Sequence, residues 1–524
     1  MRSSRIKVAV PADSERQHLL RRRSMLKSAA IPLGAGLIGG GVGFSMSELG
    51  RPEEADPRVA PEGLKRFSTS GTDRPERFQD FLDSLADGDS AVVDGSFSIR
   101  SATIRANSVR IGFGPGAKLV LEEPFEDGVV IEGDRVSLFG GSIEGPGAWN
   151  GVNTPWTHAM VHVKGESFTA QGMTLLKVPK VGFGIRGNGG GIRDCVIVGG
   201  YPERSWTGVE TGHFGIVFDP STGSSRSTAG SVHGTSIASC VQGISIANHG
   251  PGVGGSYSMV QNSFEDCHNH GVYAQSGLGN VVANNSFIGC QVPIVASGEG
   301  HVISNNSLRA KMDGTTRDLT GINVRDARNC VVANNVIKGQ VSSSSVAVSL
   351  DSINETAIVG NIIHGNVISV QGEGRPVIRV GQNSTECSFN KVEGNVISGG
   401  GQAGQAVVVV TVASESTGGR FNEVTSNTIR TVTSTAGILL ERQVSGTVRH
   451  NTVIADSQRP MPEQKAVIVR DSSRVLVKDN VWRTSGDGDM TEPFVEVNSA
   501  GNFLAGNMKE GPRGLEEIAR SPRT

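Results

Sequence analysis

The segment 264–279, FEDCHNHGVYAQSGLG, packs Glu265, Asp266, Cys267, His268, His270 and Tyr273 into one short stretch. Such residue types can ligate zinc or copper, move protons, or sit at the corner of a repeating scaffold. A metal role fails on geometry, because neighbouring residues of a strand or corner point in different directions, and no second cluster with ligand spacing supports them. Abstraction of a proton beside a carboxylate asks for other types: a base, a cation that neutralises the carboxylate, and an acid for the leaving oxygen. Tyr273, Arg325, Asp351 and His270 are candidates for those catalytic roles, and Asp219, Gln275, Asn323 and Arg379 for holding a polar substrate. Whether they meet depends on the elements that carry them.

Those elements repeat. Units such as NVVANNSFIGC, HVISNNSLRA and CVVANNVIKGQ recur around marker asparagines at 262, 285, 306, 335, 366, 395, 427, 451 and 480, with gaps of 21 to 32 residues. Spacing of that size with short apolar strands marks a solenoid, whereas propeller blades take about 40 residues each. Leucine-rich repeats are excluded by the absence of a leucine ladder and helical segments. The expected fold is all-β: a single-stranded right-handed parallel β-helix, each coil about 4.8 Å above the last. Asparagine suits the tight turn, since it tolerates the left-handed backbone region, and its side chain can hydrogen-bond from coil to coil. Asp73 and Glu76 have capping-box spacing, and Phe78, Phe81, Leu82 and Leu85 follow at helical intervals. A short helix over about 74–86 is therefore expected to cover the open end of the sheet. The domain reading is 1–50 signal region, 51–70 linker, 71–505 solenoid, and 506–524 a frayed tail or small terminal cap.

Aligning coils by their markers places Cys240, Cys267 and Cys290 at equivalent positions, as an inward ladder of packed thiols or of disulfides. Cys195, Cys330 and Cys387 suggest no pairing. The strands GIVFDP, GISIAN, GVYAQS, PIVASG, GINVRD, AVSLDS and VIRVGQ align as well. Their second and fourth residues are apolar and face the core at period two. The third column, Val217, Ser245, Tyr273, Val295, Asn323, Ser349 and Arg379, must then face solvent, as must the fifth, Asp219, Ala247, Gln275, Ser297, Arg325, Asp351 and Gly381. Small floor residues beside hydrogen-bonding ones suit a groove for a sugar chain, and guanidinium groups match uronate carboxylates. Trp149, Trp156 and Trp206 lie in long excursions that either wall this groove or cover the sheet.

Over roughly residues 70–505 the repeat resembles the pectin-lyase-like superfamily of right-handed β-helix proteins. GGSIEGPGAWNG (140–151) is similar to the GGTIDGQG-x-x-WW signature of polygalacturonase-type hydrolases, and HGVYAQSGLG (270–279) to that family's GHGISIGSLG. The resemblance puts His270 at the family's histidine. It puts Arg325, in GINVR, at the family's lysine, one coil further along than expected. Two departures matter. Glu210-Thr211-Gly212-His213 stands where the family has NTDG, and CVQG (240–243) replaces the paired acids. Inverting hydrolysis needs carboxylates within about 10 Å, whereas Asp219 and Asp351 are five coils apart, well over roughly 20 Å. β-Elimination asks for less and is the expected reaction, on an acidic polysaccharide. A C5-epimerase shares the proton abstraction but lacks its DPHD motif here, and a calcium-dependent lyase would want an acidic cluster that is missing, so no cofactor is expected. A non-catalytic glycan-binding surface protein is the reading from a different class.

The formal charge of −2 carries no signature of a nucleic-acid partner. Arg22, Arg23, Ser24, Met25, Leu26 and Lys27 resemble the twin-arginine export motif. The uncharged run 29–46 behind them holds six glycines and a proline, a poor permanent membrane span. The implied location is secreted, periplasmic or cell-surface.

Overall fold

Strands of three to five residues, too short to persist alone, fold here by stacking on their own repeats. The computed structural model describes residues 64–68, 75–122, 127–147, 159–200, 213–219, 229–246, 255–275, 278–309, 321–340, 346–353, 355–371, 376–399, 406–413, 418–431, 436–455, 464–484, 493–511 and 514–518. The signal region, the three tryptophans of the excursions, Glu210-Thr211-Gly212 and Ala247 lie outside them.

Each coil contributes one strand to each of three parallel sheets, one of which holds 17 of the described strands. The register is regular. Ser286–Ile288 pairs with Ser263–Glu265 on one side and Ser307–Arg309 on the other, stacking Phe264, Phe287 and Leu308 in the core. The Phe264 and Phe287 rings lie 4.6 Å apart and 3° from parallel. The chain is an all-β, right-handed parallel solenoid.

The marker asparagines are buried, 2% exposed or less. The Asn306 side-chain oxygen accepts from both the backbone N–H and the Nδ2 of Asn285, while Asn306 Nδ2 donates to Val282 O and to Asn335 Oδ1. The same pattern runs on through Asn366, Asn395, Asn427, Asn451, Asn480 and Asn507. The left-handed residue of the turn is not the marker but its predecessor: Asn284 at φ 58°, Asn305 at 57°, Asn334 at 56°, Gly365 and Gly394 at 63°. The marker itself turns inward, where an amide can meet donors and acceptors of both neighbouring coils. A second ladder, Asn361, Asn390 and Asn422 ending on Gln443, runs in the later coils at another corner.

Cys240, Cys267 and Cys290 stack in the core as expected, and all six cysteines are free thiols, so the disulfide alternative is not realised. Burial pushes the Cys240 thiol up to about 12. At the N-terminal end the helix Pro75–Asp83 buries Phe78 and Leu82. Its Gln79 side chain bonds both the N–H and the C=O of Thr103, satisfying part of an exposed strand edge. Lys65–Ser68, inside the stretch read as a linker, is a strand paired with Ser90–Asp94. At the other end Met508–Gly511 and Gly514–Glu517 form an antiparallel hairpin on the last coil. Among the described residues no helix is long and apolar enough to cross a membrane.

The ladder makes a prediction. Asn395→Leu removes the acceptor for the Asn366 N–H and the donor for Ile363 O. Each buried group left unsatisfied costs about 1–3 kcal/mol, so a loss of roughly 2–5 kcal/mol is expected in urea denaturation. Asn305→Gly, at an exposed left-handed position, should stay within about 0.5 kcal/mol of the wild type.

Candidate functional site

The candidate residues lie on successive strands of one sheet: Phe214–Phe218, Gln242–Ile246, His270–Ala274, Val292–Glu299, Ile322–Arg328, Val348–Asp351 and Ile378–Gln382. The third column stands in the expected register, Val217, Ser245, Tyr273, Val295, Asn323, Ser349, Arg379. The fifth column holds through Ser297, Arg325 and Asp351, then departs. A register shift with Gly381 at φ 87° pairs Asp351 with Gln382, so Gln382 takes the position assigned to Gly381. The face is also less open than period two alone implies. Val217, Ser245, Val295 and Ser349 are 0–1% exposed although none belongs to the central core cluster. Val217 packs with Ala159, Val181 and Phe214 in one apolar patch, and Val409 with Ala406 and Ala436 in another. Between these patches the face is polar.

His270 and Tyr273 meet because of a glycine. A Cβ at Gly271 would lie 2.5 Å from the Phe287 ring, so only glycine lets the strand enter here over the stacked core phenylalanines. Val272 then points inward, while His270 occupies the column of Phe214 and Gln242 on the outer side. The imidazole stacks on the Tyr273 ring at 4.4 Å and 21°. Gln275 Nε2 donates to the Tyr273 hydroxyl at 2.5 Å. Arg325 arrives from two strands away, passing a strand whose outward residues, Val295 and Ser297, are small. Its Nη1 lies 3.5 Å from the same hydroxyl and its guanidinium carbon 5.9 Å from the ring centroid.

Burial, and secondarily the Arg325 charge, push the His270 pKa down to about 3. The imidazole is therefore neutral at ordinary pH, and its Nδ1 has no hydrogen-bond partner. Gln242 Oε1, Asn323 Oδ1 and Arg325 Nε are likewise buried and unpartnered. Orphaned polar atoms are rare in folded proteins, and four of them lie on neighbouring strands of this face.

The remaining candidates are engaged elsewhere. Arg379 holds Asp351 in a two-point pair, Nε–Oδ1 at 3.1 Å and Nη2–Oδ2 at 2.6 Å, and the Ser349 hydroxyl donates to the same carboxylate. The carboxylate and the guanidinium are thus committed to each other. Asp219 lies 3.6 Å from Arg186, two strands from the Tyr273 strand. The structure thus unites His270, Tyr273, Gln275, Asn323 and Arg325, and leaves Asp351, Arg379 and Asp219 to other pairs. Gln242 and Gln382 escaped the sequence reading. Extending the alignment one residue before the shared glycine would have put Gln242 beside His270. Cys267 lies in the core and His270 on the outer face, so they are not co-ligands, and among the described residues no three His, Cys, Asp or Glu side chains are grouped to hold a metal.

The depressed pKa has a testable sign. The unfolded chain takes up a proton near 6.5 that folded His270 refuses until about 3, so its contribution to stability is full above 6.5 and lost as pH falls toward 3. His213 and His301 are pushed the same way by burial. The difference between wild type and His270→Gln in urea midpoints across that range isolates His270: the variant should lose less stability on acidification. In NMR spectra the His270 ring signals, assigned with the same variant, should stay in the neutral position through the ordinary histidine range.

No family model and no curated protein matches the chain. Among solved structures it is similar to a PL6 alginate lyase in complex with a trisaccharide, at 12% identity and TM-score 0.38, covering 81% of this chain and 86% of that one. It is similar to PfbA, a surface adhesin of Streptococcus pneumoniae, at 12% identity and TM-score 0.37, covering 84% and 90%. A third is the tailspike protein of E. coli bacteriophage HK620 in complex with a pentasaccharide, at 10% identity and TM-score 0.38, covering 84% and 77%. Likeness of this degree says nothing about reaction or ligand. By its own strand pairing the chain is a right-handed parallel β-helix protein with a half-enclosed polar window on one sheet.

Proposed function

We propose that the chain is an exported enzyme that binds an acidic polysaccharide along this face and cleaves it by β-elimination. The observation that carries this reading is neutral His270 stacked on Tyr273, whose hydroxyl lies beside Arg325. In the reaction the Tyr273 oxygen, entering as the phenolate beside Arg325, takes the proton next to the uronate carboxylate, and Arg325 neutralises that carboxylate as charge builds on it. The electron pair left behind forms a carbon–carbon double bond and expels the glycosidic oxygen, which takes a proton from the Tyr273 hydroxyl. Gln275, bonded to that hydroxyl, orients it. Hydrolysis finds less support, since Asp219 and Asp351 are both ion-paired and five strands apart. Export rests on the twin-arginine motif.

The test is the ultraviolet absorbance of the unsaturated uronate product while purified protein meets a panel of uronate-containing polysaccharides, with and without calcium. Absorbance should rise without calcium. Tyr273→Phe and Arg325→Ala should each slow it at least about 100-fold, in the range that general acid–base and electrostatic groups supply. Flat absorbance with new reducing ends would replace elimination by hydrolysis. Flat absorbance with no new ends would replace it by epimerisation or by glycan binding without reaction.

A further inference from the structure

We infer that the ligand of this face is a heteropolysaccharide in which single uronate residues are separated by neutral sugars, rather than a homopolymer of uronates. This rests on the proposal that the face takes a sugar chain, but it concerns affinity and stands apart from the elimination step.

The balance of charge on the face carries it. Arg186 faces Asp219, Arg379 faces Asp351, and Arg470 faces Glu441, at 3.6, 2.6 and 3.4 Å. Arg325 is the exception: among the described residues no carboxylate lies within ion-pair distance of it, and its Nε has no partner. Along the solenoid axis the unsatisfied atoms on either side of it are neutral. Gln242 Oε1 and His270 Nδ1 lie toward one end, Gln382 Oε1 toward the other, and Asn323 Oδ1 on the same strand. Neutral amides and a neutral imidazole nitrogen can meet the hydroxyls of a neutral sugar, whereas a second carboxylate beside them finds no cation to balance it. Gln242 and His270 are buried, 2% and 8% exposed, so an anion placed there would lose its water with no cation in return.

The spacing sharpens this. A sugar residue is about as long as one coil is high, roughly 5 Å. The strands from Gln242–Ile246 to Ile378–Gln382 are five steps apart, or about 24 Å at that rise. A homouronan lying across them would set at least two carboxylates against the sheet whatever its screw symmetry. One would meet Arg325, and the next would meet neutral acceptors or the Asp351–Arg379 pair. An alternating chain presents one carboxylate to the guanidinium and hydroxyls to the flanking acceptors.

The test is calorimetric binding of three size-matched hexasaccharides to the Tyr273→Phe protein, which keeps the chain length and Arg325. The probes are one alternating uronate and neutral hexose, one of uronates only, and one wholly neutral. The alternating probe should bind at least about tenfold more tightly than either of the others, with the salt dependence of a single ion pair. Arg325→Gln should abolish its advantage over the neutral probe. Equal or tighter binding of the all-uronate probe, or a salt dependence of several charges, would overturn the inference while leaving elimination untouched. Tight binding of the alternating probe by wild-type protein that yields no unsaturated product would remove elimination and leave this inference standing. No binding by any of the three would remove both.

Discussion

The hydrogen bonds that define this fold mostly join residues roughly 20 to 40 positions apart in the chain, because strands so short find partners only in the coils above and below. The buried asparagine ladder is where that dependence is most severe. At each corner the chain must reverse inside an apolar interior, where backbone groups have no water to bond with. One amide per coil, set just after a left-handed residue, supplies two donors and one acceptor shared between three successive coils. Loss of one rung leaves unsatisfied groups in two coils, so the ladder ties the register of the whole solenoid together.

The site inherits its geometry from that register. Tyr273 and Arg325 are two rungs apart, too far for ordinary neighbours, and meet only because the rung between offers Val295 and Ser297. The stacked phenylalanines of the core require glycine at 271, and glycine there lets His270 emerge on the same side as Tyr273. Core packing on one side of the sheet thus sets the spacing of polar groups on the other. Burial then has a chemical effect: it holds His270 neutral without a carboxylate partner, and it leaves polar atoms of Gln242, His270, Asn323 and Arg325 without partners on one face.

Carboxylates were the natural candidates for such a site, and here they are neutralised. Asp351 is gripped at two points by Arg379 and by the Ser349 hydroxyl, and Asp219 faces Arg186. The consequence is that Arg325, with no carboxylate in ion-pair distance among the described residues, is flanked by neutral polar groups.

Much of this was legible in the residue order. Asparagine spacing predicted the solenoid. It also set the third column, Tyr273 beside Val295 and Asn323, correctly to the residue, because both follow from a local period that each coil repeats. The inward cysteine ladder followed from the same spacing. What the order could not decide were matters of reach and enclosure across coils. It made Asp351 a catalytic candidate and Arg379 a substrate ligand, whereas the fold joins them to each other. It placed Gly381 in line, where a bulge substitutes Gln382, and it set Ser245 and Ser349 in solvent, where both are buried. Periodicity is a property of the backbone and repeats along the chain. Which side chains pair, and which lose their water, depends on distances between rungs that only the stacked structure determines.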